Sequence, residues 1–228
     1  METTGQFGQA LSLAKQRINQ GNLFGAMTAL NWAAQWLQDN GGPYVNRHGI
    51  VHHRRAMVEG EMGNIDDARS RFKRSDTEIG DDAPVERAKM LRDWSKFELL
   101  QGDEALARTK IHEAVHLLEE IEIGTPELDM EITITRGFLA RVDIGRDRIG
   151  SQHTLRATAA ALQGSEPEYE LDPIDCLVGS LPAGLERQRY LLRAVYLSLQ
   201  LGNKSRAIEY HAMLLGGNPL RRLLKLTQ

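Results

Sequence analysis

The chain of 228 residues has few of the features that mark secreted or membrane proteins. Its single cysteine, Cys176, excludes an internal disulfide and suits a reducing compartment. No segment approaches the ~20 consecutive apolar residues of a membrane-spanning helix. The N-terminal segment METTGQFGQALSLAKQ lacks the basic region and apolar run that define a signal peptide. These absences predict a cytoplasmic protein without a membrane partner.

The chain also lacks an excess of charge of either sign. It has 28 Lys and Arg against 31 Asp and Glu, which gives a formal net charge of −3. This balance, with no platform of interleaved aromatic and basic residues, argues against a nucleic-acid partner. No GxxxxGK[ST], GxGxxG or GxSxG motif is present, and we predict no cofactor.

What the sequence does contain is a repeat. Four times a glycine is followed by a polar residue, with an alanine five positions after the glycine. The glycines are Gly21, Gly63, Gly102 and Gly202, and the alanines are Ala26, Ala68, Ala107 and Ala207. A fifth unit has Gly145, with Gly150 in the alanine position. Five prolines follow these glycines at the predicted ends of the units: Pro43, Pro84, Pro126, Pro167 and Pro219.

Each unit predicts a helical hairpin. The glycine permits the left-handed residue that ends one helix, and a following Asn or Asp caps the next. The small residue five positions later suits a close crossing of the two helices, as do Ala14, Ala56 and Ser95, seven residues before the first three glycines. Because of this register, EITITR (131–136) is predicted to be helical despite its β-branched residues.

The pattern resembles the tetratricopeptide repeat over most of the chain, from about Gln9 to Ala212. The glycine turn and the small residue match, whereas the large aromatic of the family's first helix is mostly missing. The glycines lie 39 to 57 residues apart, against about 34 in the family, as in its longer variants. The resemblance implies an all-α fold: a right-handed superhelix (α-solenoid) of about five antiparallel helical hairpins. It also implies one domain over residues 1–228, with NPLRRLLKLTQ (218–228) as a closing helix.

The last interval between glycines contains an insertion. Residues 163–183, QGSEPEYELDPIDCLVGSLPA, are rich in Pro, Gly and acidic residues, and no Lys or Arg occurs between Arg156 and Arg187. We expect a long acidic loop, with one helical turn at most. Such a loop could fold back onto a basic surface of the same chain and compete with a partner. Cys176 lies in this segment without a catalytic signature and is interpreted as an inert thiol.

In the resembling family, the first helices of the hairpins line a concave groove that binds peptides. Counting nine residues back from each turn glycine gives Ser12, Arg54, Asp93, Arg136 and Arg193. Together with basic residues at neighbouring positions, the predicted partner-binding groove comprises Lys15, Arg54, Lys89, Arg92, Lys96, Arg136, Arg189 and Arg193. Arg binds carboxylates in a bidentate manner, so an acidic peptide or protein surface is the predicted partner. One alternative is that the cluster binds phosphates instead of carboxylates. The other is that these charges only solvate exposed helix faces and pair with Asp and Glu.

The segment HEAVH (112–116) has the HExxH spacing of a zinc hydrolase. His112 and His116 are therefore candidate metal ligands, and Glu113 is the candidate base. The extended HExxHxxGxxH form is absent, and a third ligand would have to come from elsewhere, such as Glu127 or Glu131. A solvated helix flank is the preferred interpretation. His48, His52 and His53 raise the same question more weakly, since no Cys or carboxylate lies near them in sequence.

Trp32 and Trp36 lie one helical turn apart in the first hairpin. They are predicted to be core residues or, as the alternative, a second contact surface, because an end repeat has one uncovered face. A partner protein or a second copy forming a homodimer are the candidate occupants.

The sequence therefore predicts a non-enzymatic protein-interaction scaffold with a basic concave groove. A ligand- or peptide-sensing domain of a bacterial regulator and a zinc hydrolase built on HEAVH are the competing interpretations.

Overall fold

The computed structural model describes residues 3–40, 45–122 and 124–215. These residues form eleven α-helices and no β-strand, and consecutive helices pack against each other within residues 3–122 and within residues 124–215. The prediction of an all-α fold built from helical hairpins is confirmed. The segment EITITR lies within a helix, as the repeat register predicted.

Contacts between the helices group the chain into two compact units, Met1–Glu122 and Ile123–Gln228. The first unit contains three hairpins. Their helices are α1 (Thr3–Asn19), α2 (Leu23–Asn40), α3 (Val45–Glu61), α4 (Ile65–Ile79), α5 (Pro84–Leu100) and α6 (Glu104–Glu119). The second unit contains two hairpins with a single helix between them. Its helices are α7 (Pro126–Asp143), α8 (Arg148–Ala161), α9 (Pro167–Ser180), α10 (Leu185–Gln200) and α11 (Lys204–Leu214). A single domain over residues 1–228 stays a prediction.

The turn glycines behave as predicted in four of the five hairpins. Gly21, Gly63, Gly102 and Gly202 have φ angles of 70°, 82°, 82° and 71°, which L side chains rarely adopt. Gly145 departs from this pattern, because it is not among the glycines with positive φ. The turn between α7 and α8 therefore reverses the chain without a left-handed glycine.

Side-chain caps begin most of the second helices. The carboxylate oxygen of Asp103 accepts a hydrogen bond from the Leu106 N–H, and Asp147 accepts one from Gly150. Asn22 and Asn203 act in the same way. Asn64 differs, because its side-chain amide donates to Glu59 instead of capping α4.

Prolines open the helices that follow the hairpins. Pro84, Pro126 and Pro167 occupy the first positions of α5, α7 and α9, where the missing N–H costs no intrahelical hydrogen bond. Pro43, Pro219 and the predicted closing helix at 218–228 lie outside the described residues.

The small residues of the repeat lie where the helices of a hairpin meet. Ala26, Ala68 and Ala107 are fully buried. The Ser95 hydroxyl on α5 donates a hydrogen bond of 2.6 Å to the Ala107 carbonyl on α6, which places the two backbones in close approach. The small residues therefore set the distance between paired helices.

The insertion at 163–183 is not a loop, and that prediction is wrong. Residues Pro167–Ser180 form the helix α9, which packs against α8 and α10. Pro167 stands at its start, and Glu168 and Glu170 lie in its first turn, where carboxylates favour the positive end of the helix dipole. Leu171, Ile174, Leu177 and Val178 supply a buried apolar face. Pro173 is accommodated inside the helix.

Candidate functional site

The second unit contains a groove of about 630 Å³ between α8, α9 and α10. Its lining combines three arginines with two glutamates and an apolar wall. The lining residues are Arg156, Ala159, Ala160, Gln163, Glu170, Ile174, Glu186, Arg189, Tyr190 and Arg193. Two of these, Arg189 and Arg193, belong to the groove predicted from the sequence. We call this feature the α10 groove.

Two arginine–glutamate pairs shape the α10 groove. Arg193 donates from Nε and Nη2 to the two oxygens of Glu170, at 2.5 and 2.8 Å. Arg156 donates in the same manner to Glu186, at 2.6 and 3.1 Å. Such paired N–H···O bonds hold a planar guanidinium against a planar carboxylate. Each arginine keeps the N–H groups of its third nitrogen, Nη1, for another acceptor.

Glu170 is the most buried charged group of the groove, with 2% of its surface exposed. Burial alone would raise the pKa of this carboxyl, but the Arg193 hydrogen bonds and the Gly164 N–H outweigh it and lower the pKa. Glu170 is therefore ionised at neutral pH, and it fixes the Arg193 side chain on the rim of the groove.

Arg189 supplies the charge that the glutamates do not neutralise. It is exposed, and within the described part of the chain it has no ion-pair partner. Three arginines against two glutamates leave one net positive charge in the lining. The neighbouring Tyr190 has a raised pKa, mainly because of burial, so its hydroxyl stays protonated and can donate a hydrogen bond.

The other predicted groove residues lie on four different helices, α1, α3, α5 and α7. Lys15 and Lys96 are exposed on α1 and α5, and Arg136 is exposed on α7. Lys89 is paired with Glu86 at 2.9 Å. The eight residues divide between the two units, so a single continuous groove stays a prediction.

In the first unit a smaller groove of about 240 Å³ lies between α3 and α5. It is lined by Lys96, but also by the acidic side chains of Glu61 and Asp93 and by the rings of Phe72 and Phe97. The charge of this groove is mixed. Of the eight basic residues predicted to bind a partner, one, Lys96, lines this smaller groove.

Asp93, which the sequence placed among the groove positions, is bonded to a histidine. Its Oδ2 lies 2.9 Å from Nε2 of His53, which is 3% exposed. Burial lowers the pKa of His53, so the neutral ring donates its N–H to Asp93. His52 likewise lies 3.6 Å from Glu78. No carboxylate lies near these histidines in sequence, but the packing of α4 and α5 brings Glu78 and Asp93 next to them.

Three of the five acidic residues of the predicted insertion, Glu170, Asp172 and Asp175, are engaged in pairs within the second unit. Asp172 accepts a hydrogen bond from Arg141 at 2.6 Å, and Asp175 accepts one from Arg206 at 2.7 Å. With Glu170 they join α9 to α7, α10 and α11. The prediction of an acidic loop that folds back over the groove is wrong, since these carboxylates stand on a packed helix. Burial raises the pKa of the neighbouring Cys176 to about 11, which keeps the thiol protonated at neutral pH.

The HEAVH segment forms part of α6. His112 and His116 are exposed, Glu113 is paired with Lys110 at 2.8 Å, and His116 lies 3.3 Å from Glu120. Across residues 3–40, 45–122 and 124–215, no group of three or more His, Cys, Asp or Glu side chains is arranged to hold a metal ion. The two histidines thus stand on a solvated flank of the helix.

The two tryptophans of α2 have different environments. Trp36 is 6% exposed and packs against Phe7, with ring centroids 5.9 Å apart. Trp32 is 47% exposed and lines a groove of about 580 Å³ between α1 and α2, together with Leu13 and Ala29. One tryptophan is a core residue, as predicted, and the other stands at the surface.

Sequence reasoning missed Arg156, Glu170 and Tyr190 as lining residues of the α10 groove. Arg156 pairs with a residue 30 positions away and Glu170 with one 23 positions away. Neither separation follows the helical or repeat period, so no sequence signal marked these pairs.

No protein-family model matches the chain, and no curated protein matches it in sequence. None of the helices in the described residues is both long enough and apolar enough to cross a membrane.

Proposed function

We propose that the protein is a non-enzymatic interaction module, related in architecture to tetratricopeptide-repeat scaffolds, that binds an acidic segment of a partner protein in the α10 groove. The observation that carries the proposal is the position of three arginines, Arg156, Arg189 and Arg193, around one groove of about 630 Å³.

The charge of the lining favours an anionic ligand. Glu186 binds one edge of the Arg156 guanidinium, and Glu170 binds one edge of the Arg193 guanidinium. Arg189 has no ion pair within the residues described. A carboxylate that enters the groove meets the Arg189 guanidinium and the third nitrogens of the two paired arginines. Hydrogen bonds between charged groups are stronger than those between neutral groups, and the orientation of two arginines is already fixed.

The rest of the lining favours a peptide over a small inorganic ion. Ala159, Ala160 and Ile174 give the groove an apolar wall, and Tyr190 combines a ring with a hydroxyl donor. An acidic residue flanked by an apolar one matches both parts of this surface. The lining contains no Ser, Thr, Cys or His side chain, which suits binding better than nucleophilic catalysis.

The test is fluorescence anisotropy with a labelled peptide of six glutamates and an uncharged peptide of the same length. We expect the acidic peptide to bind more tightly, and its affinity to fall as salt is added, because exposed charges are screened. Arg189→Gln should weaken binding by about fivefold or more, which corresponds to about 1 kcal/mol.

Arg146 provides a matched control. It is exposed in the turn between α7 and α8 and does not line the groove. Arg146→Gln removes the same charge from the protein and should leave affinity unchanged. Equal losses in the two variants, or equal binding of the acidic and uncharged peptides, would contradict the proposal.

A further inference from the structure

Helix α10 has two apolar faces on opposite sides. One face, with Leu191, Ala194 and Leu197, is buried in the core of the second unit. The opposite face carries four large apolar side chains that are at least half exposed. They are Leu185 at 77%, Leu192 at 58%, Tyr196 at 50% and Leu199 at 56%. An ordinary surface helix is polar on the side away from the core, so this second face is a candidate contact surface.

The spacing of the exposed face is that of a coiled-coil seam. Leu185, Leu192 and Leu199 are seven residues apart, and Tyr196 lies four residues after Leu192. Leucines repeating every seventh residue, with a second position four residues later, produce the stripe along which two helices pack. Arg189 takes that second position between the first two leucines. We call the four apolar residues and Arg189 the α10 seam.

The charges beside the α10 seam indicate what packs on it. Glu186 and Arg193 lie seven residues apart on the same edge of the seam, and their side chains remain 49% and 35% exposed. In an antiparallel pair of identical helices, this edge of one copy faces the same edge of the other copy, and the two edges run in opposite directions. Glu186 of each copy then lies near Arg193 of the other, and this contact, which occurs twice, adds to the pairs that Glu186 makes with Arg156 and Arg193 makes with Glu170 in its own chain. A parallel pair would instead bring this edge against the opposite edge of the seam, where Gln188 and Val195 carry no charge to pair with Glu186 or Arg193.

We infer that the α10 seam is a dimer interface on which α10 of a second copy of this chain packs in antiparallel orientation. Two-fold symmetry suits this surface, because the leucine stripe and the charged edge are each complementary to themselves. The interface adjoins the peptide site of the proposed function: the four apolar residues do not line the α10 groove, whereas the charged edge, Glu186 and Arg193, belongs to both. Arg189 stands at the border between the two.

The first test is the mass of the full chain by sedimentation equilibrium across micromolar concentrations. We expect a monomer–dimer equilibrium for the wild-type chain. Leu185→Glu combined with Tyr196→Glu should shift it to monomer, because each new carboxylate would face one from the other copy across the antiparallel pair. Both positions are exposed, so the helical circular dichroism signal should be retained.

Ile149 and Leu100 give matched controls. They are exposed to 83% and 71% on α8 and at the end of α5, outside the seam. Ile149→Glu and Leu100→Glu should dimerise like the wild-type chain. A wild-type chain that is monomeric at every concentration overturns the inference. This result is expected if another segment of the same chain covers the seam. A dimer that survives the double seam substitution overturns it as well.

Cross-linking distinguishes the two orientations. In the antiparallel pair Leu185 of one copy lies near Tyr196 of the other, so a mixture of Leu185→Cys and Tyr196→Cys chains should be joined by a short thiol-reactive cross-linker. Leu185→Cys alone should give little cross-linked dimer. Efficient joining of Leu185→Cys to itself would show a parallel pair and refute the orientation.

Discussion

The Arg193 guanidinium holds the Glu170 carboxylate through two hydrogen bonds, 2.5 and 2.8 Å long, and so joins α10 to α9. The carboxylate is 2% exposed, and the Gly164 N–H donates a third bond to it at 3.1 Å. A buried carboxylate is costly unless its oxygens are paired. The pair therefore fixes α9 in the second unit and also orients one arginine of the α10 groove.

Removing the charge of Glu170 should destabilise the second unit. Glu170→Gln keeps the size of the side chain but replaces one acceptor oxygen by an NH₂ group that faces the Arg193 donors. We expect a loss of about 1–3 kcal/mol in the free energy of unfolding, measured by urea denaturation. Glu168→Gln, on an exposed residue of the same helix, should change stability by less than about 0.5 kcal/mol. Similar losses for both variants would show that the pair does not stabilise α9.

The hairpin turns of this fold could be predicted from the sequence, whereas helix α9 was predicted wrongly. The hairpin turns were predictable because their causes are local: Gly21, Gly63, Gly102 and Gly202 adopt left-handed φ angles at the predicted ends of helices. Helix α9 was missed although Pro167 and the acidic residues after it are local signals of a helix start. The density of Pro, Gly and acidic residues in 163–183 favoured a loop, and Pro173 supported that interpretation.

The binding surface was less predictable than the fold. The position of Arg193 on its helix face followed from the register, but its partner lies 23 residues away. His53 is bonded to Asp93 over a separation of 40 residues. Such pairings depend on how hairpins pack, which the repeat period does not specify. The predicted basic face therefore contains charges that are already engaged.

The stability of the first unit should fall in mild acid because of His52. Burial lowers the pKa of this ring from its ordinary 6.5 to about 4, against the opposing charge of Glu78. The unfolded chain then takes up a proton near pH 6.5, whereas the folded chain does not until about pH 4. Stability is lost as the pH falls through this window, by up to roughly 1.4 kcal/mol per pH unit.

Urea denaturation at several pH values between 7 and 4 measures this slope. His52→Gln should make it shallower, and the buried His53, whose pKa is also lowered, supplies part of the remainder. His153→Gln, which replaces an exposed histidine on α8, is the matched control. An identical slope in His52→Gln and the wild-type chain would show that His52 does not titrate differently on unfolding.

The close crossing of α3 and α4 depends on Gly49. A Cβ atom at this position would lie 2.5 Å from Cγ1 and 2.7 Å from the backbone nitrogen of Ile79, and the Gly49 carbonyl accepts a hydrogen bond from the buried Ser75. Gly49→Ala should therefore destabilise the first unit by about 1–3 kcal/mol in thermal or urea unfolding, because the helices must separate.

Gly8 provides the opposite case on α1. No atom lies within 4 Å of a Cβ added there. Gly8→Ala should stabilise the protein by up to about 1 kcal/mol, since alanine favours a helix over glycine. A stabilising Gly49→Ala would mean that the two helices do not cross as closely as the backbone positions indicate.

The two tryptophans of α2 should respond differently to truncation, because one is buried and the other is not. Trp36 packs on Phe7 in the core, so Trp36→Ala should lower the free energy of unfolding by about 3–5 kcal/mol. Trp32 is 47% exposed, and Trp32→Ala should cost less than about 1 kcal/mol. Differential scanning calorimetry of both variants measures the contrast. A large loss of unfolding free energy for Trp32→Ala would show that its ring is packed in the core and not at the surface. A small loss would be consistent with Trp32 and the groove between α1 and α2 serving as a contact surface.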